Sequence, residues 1–342
     1  MKKLHVFVAA LLISIALGPA CAPAALDCKS KEIFCVGLVT NVGKINDKSF
    51  NQSAWEGVQR AQEELGTQAQ YIETANSKDF AKNIAAFGDI NYDVIVTVGY
   101  SLGDATIEAA AIYPDTDFIG VDQYQFEPVD GVAGLIFPED QAGFLVGALA
   151  AMMSRNHKIG AVCATDSVPA IWRLGEGYKA GAAYIDTEKE ISTEVYVIYN
   201  SDYDESFVDP EWGAETANSM IAQGADVIFG CGRVTGDAAI IAAAQADAYV
   251  IGVDSDQYLT LPEAAPRMLS SAIKLIAPGV FELIQLSREG AFPGGNYYGD
   301  AGYAPFHALD NEVPADVKTE MENIRAGLLD GSIKTDVLPV KP

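Results

Sequence analysis

Two distant stretches of the chain are close copies of one another. Asp93-Val94-Ile95 through Ala111 aligns without a gap on Asp226-Val227-Ile228 through Ala244. Gly99, Gly103, Asp104, Ala105, Ile107, Ala109, Ala110 and Ala111 all meet identical residues in the second copy. One deletion later, Ile119-Gly120-Val121-Asp122 meets Ile251-Gly252-Val253-Asp254. Each copy reads as a buried strand, a glycine turn, an alanine-rich helix and a second buried strand ending in Asp. Short Val/Ile runs alternating with helical segments imply parallel βαβ units covered on both faces.

The starts of the halves also correspond. Phe34–Thr40 and Lys158–Ala164 are apolar strands, and each precedes a helix carrying Glu-Gly, Glu56-Gly57 and Glu176-Gly177. The expected architecture is α/β, with two doubly wound parallel-sheet lobes over 34–125 and 158–260. A crossover over 126–157 joins them, and 261–342 holds a return crossover and C-terminal elements packing on both lobes. Ligands of such sheets bind beyond the carboxyl ends of the strands. Facing lobes would therefore put Asp122 and Asp254 on opposite walls of one cleft.

The first residues carry an address. Met1-Lys2-Lys3 precedes an apolar run, Leu4–Leu17, that is short for a bilayer span and fits an export signal. Leu17-Gly18-Pro19-Ala20-Cys21 resembles a bacterial lipobox. A signal over 1–21 with Cys21 as the lipidated residue, followed by a tether over 22–33, is the first expectation. Cleavage near Ala22–Ala25, releasing a soluble protein, is the other. Either route places the mature chain outside the cytoplasm, so its four remaining cysteines are free to form disulfides. Spacing alone leaves three connectivities open. If each lobe has the common strand order 2-1-3-4-5, Cys163 and Cys231 lie on neighbouring strands ~4.8 Å apart. The pairing preferred is thus Cys28–Cys35 with Cys163–Cys231.

Charge excludes one class of partner. The 22 Lys+Arg against 47 Asp+Glu leave a net −25, and no basic cluster follows the N-terminus. Such a chain cannot neutralise phosphates, which rules against nucleic acid and anionic membrane surfaces.

Val36–Gly43 followed by Ile45-Asn46-Asp47-Lys48-Ser49-Phe50-Asn51-Gln52-Ser53-Ala54-Trp55-Glu56-Gly57 resembles the opening motif of the basic membrane protein family. Members are lipoprotein substrate-binding subunits of ABC importers, purine-nucleoside binders among them. Gly252–Gln257 is similar to the second family motif and Phe144-Leu145-Val146-Gly147 to the crossover helix. The resemblance implies a fold of the type I periplasmic-binding-protein kind and permease and ATPase subunits as partners. It also implies no cofactor, no metal, and contact with the membrane through a lipid anchor only. By the same resemblance, Phe50 and Phe207 would sandwich a planar base, with Trp172 and Trp212 as substitutes for Phe207. Asn41 and Asp122 would bond the base edges, and Asn51 belongs to the same motif. Asp254 and Lys274 would hold the ribose, and Gly232 would let backbone approach the ligand. Two departures stand out. The family usually has Asp where this chain has Asn41, and its Gly-Gly-Thr-Gly turn is altered to Gly232-Arg233-Val234-Thr235-Gly236. A flavin or another flat heterocycle is the alternative ligand.

One rival chemistry is spelled out in the turn itself. Gly99-Tyr100-Ser101-Leu102-Gly103 is a G-x-S-x-G pattern between strand and helix, and Asp254 and His307 follow it in hydrolase order. Against a serine hydrolase, the duplicate turn carries Val234 in place of Ser101, and no His-Gly-Gly segment offers an oxyanion hole. Asp202, Asp204 and Glu205 are acidic enough for Ca²⁺ but lack the EF-hand pattern. They read as solvated loop acids.

Overall fold

The computed structural model describes Cys28 and residues 33–342; Cys21, the 1–21 segment and nearly all of the 22–33 tether lie outside the described residues. The first lobe runs β1 (Cys35–Val42), α1 (Phe50–Leu65), β2 (Gln68–Thr74), α2 (Phe80–Gly88), β3 (Val94–Val98), α3 (Gly103–Ile112), β4 (Asp117–Val121) and β5 (Val132–Ile136). Helix α4 (Glu139–Met153) crosses to the second lobe. That lobe runs β6 (Lys158–Cys163), α5 (Pro169–Lys189), β7 (Glu194–Tyr199), α6 (Pro210–Ala222), β8 (Val227–Cys231), α7 (Arg233–Gln245), β9 (Tyr249–Asp254), α8 (Gln257–Thr260) and β10 (Met268–Lys274). The chain returns through α9 (Ile276–Arg288) to β11 (Gly295–Tyr298), then crosses once more to β12 (Ala301–Tyr303) and α10 (Ala315–Asp330).

The two sheets have matching orders, β11-β5-β4-β3-β1-β2 and β12-β10-β9-β8-β6-β7. Each is the 2-1-3-4-5 arrangement with one extra strand from the C-terminal part, and among the described residues only the β10–β12 pair is antiparallel. Strand β5 lies within the 126–157 span yet completes the first sheet. The central strands β3, β5 and β8 are buried at every position, whereas edge strands β2 and β7 are largely open to solvent. That is the burial expected when helices cover both faces of a parallel sheet.

Helix α4 is apolar nearly all round because α5 and the second lobe's core enclose it. Gly143 and Gly147 on α4 face Leu174 and Tyr178, while Gly177 and Gly181 on α5 face Asp140 and Phe144. A Cβ at any of the four would collide with the facing helix's carbonyl oxygen. Small residues at this spacing let the two backbones touch.

The duplicated turns share backbone strain. Gly99 and Gly232 take φ of 110° and 151°, a region that favours glycine. Asp122 and Asp254 take φ of 59° and 65°, the left-handed region that Asp tolerates better than most residues. Disulfides join Cys28 to Cys35 and Cys163 to Cys231. The second links directly opposed residues of β6 and β8, immediately before the Gly232 turn.

Candidate functional site

A cavity of about 170 Å³ opens between the lobes, along the carboxyl ends of both sheets. A single water needs only ~10–15 Å³, so the space suits a multi-atom organic ligand. Asn41, Phe50 and Asp122 line it from the first lobe, and Phe207, Gly232, Asp254 and Lys274 from the second. Asn51 is not among the lining residues. It is buried behind them, where its Oδ1 accepts the Asn41 N–H at 3.1 Å and its Nδ2 donates to the Lys44 carbonyl at 3.1 Å. Its position is that of a brace for Asn41. Neither Trp172 nor Trp212 lines the cavity; Trp172 stacks on Tyr199 and Trp212 packs into the second lobe's core. Tyr100 and Tyr203, which sequence reasoning did not single out, also line it, one from each lobe.

One end is charged. Lys274 ends β10, Asp254 ends β9, and Asp122 follows β4 across the cleft. The Lys274 Nζ lies 2.6 Å from Asp122 Oδ2 and 3.4 Å from Asp254 Oδ1. The lysine side chain is 2% exposed and each carboxylate 9%. Ser49, just ahead of α1, donates from Oγ to Asp254 Oδ2 at 2.9 Å. Burial works against the Lys274 charge, but Asp122, Asp254 and the nearby Glu139 outweigh it and raise the ammonium's pKa. Burial raises the Asp122 pKa, opposed by Lys274. Asp122 Oδ1 is buried with no hydrogen-bond partner among the described residues. Asp122, expected at the base edge, shares the Lys274 ammonium with Asp254.

Glu139 opens α4 behind this cluster, held by Arg173 Nη1 at 3.0 Å. Burial and the Asp122 charge push it up to about 7. No motif pointed to it; only packing brings the first turn of α4 near the cleft.

The other end is apolar and amide-lined. Phe50, the first residue of α1, borders the charged cluster, with the Lys274 Nζ 4.7 Å from its ring centroid, and leads toward this end. Phe207 precedes α6, and Val168 and Ile171 add apolar wall. Asn41 is next to last in β1, two strands from Asp122 in the order β4-β3-β1, which separates them by roughly 10 Å.

The altered turn has a definite role in the geometry. Arg233 is buried and lines the cavity, and its Nε lies 3.4 Å from Asp47 Oδ2 in the opposite lobe. Asp47 also accepts the N–H groups of Ser49, Asn51 and Gln52, fixing the loop that presents Phe50.

The hydrolase constellation is not assembled. Ser101 donates to Asn41 Oδ1 at 3.3 Å, His307 contacts Asp256 at 2.7 Å, and Asp254 serves Ser49 and Lys274. Among the described residues no cluster of three or more His, Cys, Asp or Glu could hold a metal. Asp202 instead accepts the N–H groups of Asp204 and Glu205.

Residues 34–298 match the family described as ABC transporter substrate-binding protein PnrA-like (Bmp). The CD4+ T-cell-stimulating antigen of Listeria monocytogenes is 30% identical, with all of both chains covered. The ABC transporter nucleoside-binding protein BmpA of Lactococcus lactis subsp. cremoris is 29% identical over 97% of this chain and 99% of its own. Among solved structures, an ABC transporter solute-binding protein from Aeropyrum pernix superposes with a TM-score of 0.78 at 25% identity, covering 88% of this chain and 92% of that one. The chain belongs to the Bmp family of ABC transporter substrate-binding proteins.

Proposed function

We propose that this protein captures a nucleoside, a purine in the best-supported reading, outside the cytoplasm and hands it to a membrane permease. The lobes close around the ligand, and no bond is made or broken. The observation that carries the reading is a cavity with two aromatic side chains from opposite lobes and an Asp122–Lys274–Asp254 cluster at one end. A flat base stacks between Phe50 and Phe207, worth ~1–3 kcal/mol. Vicinal ribose hydroxyls donate to the Asp254 carboxylate, while Lys274 holds both acids in place. The base then lies toward Asn41, at a distance that matches the length of a nucleoside. The relative named as nucleoside-binding supports the same ligand class. Cys21 supplies the lipid anchor in this reading.

The charge balance adds a selectivity. Two carboxylates face one ammonium at the sugar end, in a chain of net −25. A phosphorylated ligand would meet like charge there. The test is to purify the protein without added ligand, denature it and identify what is released by mass spectrometry. A purine nucleoside is the expected result; a flavin or a sugar in stoichiometric amount contradicts the reading.

A further inference from the structure

One short loop of the first lobe, Asp47–Ser49, is plugged into the second. The Arg233 Nε lies 3.4 Å from Asp47 Oδ2, and the two side chains are only 6% and 3% exposed. The Lys48 carbonyl accepts the hydroxyls of Thr260 at 2.8 Å and Ser255 at 3.3 Å. The Ser49 hydroxyl has Asp254 Oδ2 at 2.9 Å and the Val253 carbonyl at 3.4 Å. The socket is therefore built by the end of β9, by α8 and by the Gly232 turn, and every partner in it is a group of the protein itself. Arg233 is its unusual member. It takes φ of 50°, a left-handed conformation that a long side chain rarely adopts and that persists only where the surroundings hold it. Its guanidinium packs on Gly43 of the opposite lobe, where a Cβ would collide with Nη2. Asp47 is equally committed: burial pushes its carboxyl pKa up, Arg233 opposes that, and both oxygens accept the N–H groups that shape the entry to α1.

We propose that Arg233 is a positioning residue for ligand capture: it locks the Asp47–Ser49 loop into the second lobe, so that protein contacts hold the lobes together and their release limits ligand entry and exit. This rests on the lobe closure proposed above and not on the identity of the ligand. Opening the lobes breaks the Arg233–Asp47 pair and returns both charges to water. Closing them rebuilds it beside Phe50, the next residue after the loop, so latching and completion of the stacking face are one event. A ligand that binds the closed arrangement then adds to an equilibrium the latch already favours.

Arg233→Gly is the discriminating variant, because glycine adopts this φ freely and the turn keeps its shape without the guanidinium. Arg233→Lys keeps a cation within reach of Asp47. Spin labels on Lys78→Cys and Glu211→Cys report the opening; both positions are exposed and lie beyond β2 and β7, the strands farthest from the crossovers. In ligand-stripped protein the label distance should be longer in R233G than in the otherwise wild-type background, and R233K should restore most of the difference. Stopped-flow mixing with inosine and adenosine should show association and dissociation both faster in R233G, dissociation by about tenfold or more, because truncating one partner of a buried charge pair acts chiefly on the off-rate. Mere loosening of the Phe50 loop would speed release alone. An unchanged label distance, slower association in R233G, or an R233K as open as R233G overturns the inference. A distance that lengthens while neither nucleoside binds the wild type leaves the latch standing and fails the nucleoside reading.

Discussion

Replacing Lys274 by methionine keeps the length of the side chain and removes the charge between Asp122 and Asp254. At 2.6 and 3.4 Å, and with an effective dielectric constant of ~20, each contact is worth roughly 5–6 kcal/mol before desolvation. Taking the ammonium out of water costs several kcal/mol, so the net value of the cluster is much smaller. Removing one partner of a buried pair still costs ~3–5 kcal/mol, because the acids are left facing each other without a cation. Urea denaturation of ligand-free protein at pH 8 should show a K274M loss of that size. The loss should shrink at pH 5. Burial raises the folded-state pKa of Asp122, and losing the cation raises it further, so native K274M binds more protons at this site and its stability rises as pH falls. Asp122 is already raised by burial with Lys274 present. Asp122→Asn added to K274M removes the repulsion, so the double variant should be more stable than K274M alone. A K274M loss below about 1 kcal/mol at pH 8, or a double variant showing the full sum of the single losses, would refute the counter-ion role.

Three further outcomes follow from the same geometry. Glu139 is raised from 4.5 to about 7, so the native state holds its proton through that window and stability falls as pH rises from 4.5 to 7. The effect is roughly 3 kcal/mol, and Glu139→Gln should flatten the denaturation midpoint against pH between 5 and 7; an unchanged slope excludes the assignment. Gly147→Ala should destabilise by ~1–3 kcal/mol in urea, since its methyl meets the Tyr178 carbonyl across α4–α5, and a neutral result would mean the helices part freely. Competition binding should rank the preferred nucleoside at least about tenfold above its 5′-monophosphate, and equal affinity would remove the proposed charge filter.

The duplication made much of the site readable before any coordinates. Gly99 and Gly232 mark turns that need positive φ, and Asp122 and Asp254 end equivalent strands, so all four fall along one cleft. The strand order entered only as the common 2-1-3-4-5 arrangement, which both sheets have with one strand added. Short strands were less legible. β11 and β12 span four and three residues and have no periodicity to read, yet each completes a sheet. Relations between lobes were hidden as well. The shared ammonium between Asp122 and Asp254, the Arg233–Asp47 contact and the nearness of Glu139 depend on how the two lobes meet, which no local pattern encodes. Asn51 shows the opposite error. It belongs to the matching motif, but it braces Asn41 from behind and does not face the cavity.

The most direct test of the account is a calorimetric titration of ligand-stripped protein with a panel of purine nucleosides, repeated on Phe50→Ala. The account predicts saturable one-to-one binding of at least one nucleoside, weakened by about tenfold or more when the stacking face is lost. Absence of binding across the panel, or a ligand held equally well by wild type and F50A, would contradict it.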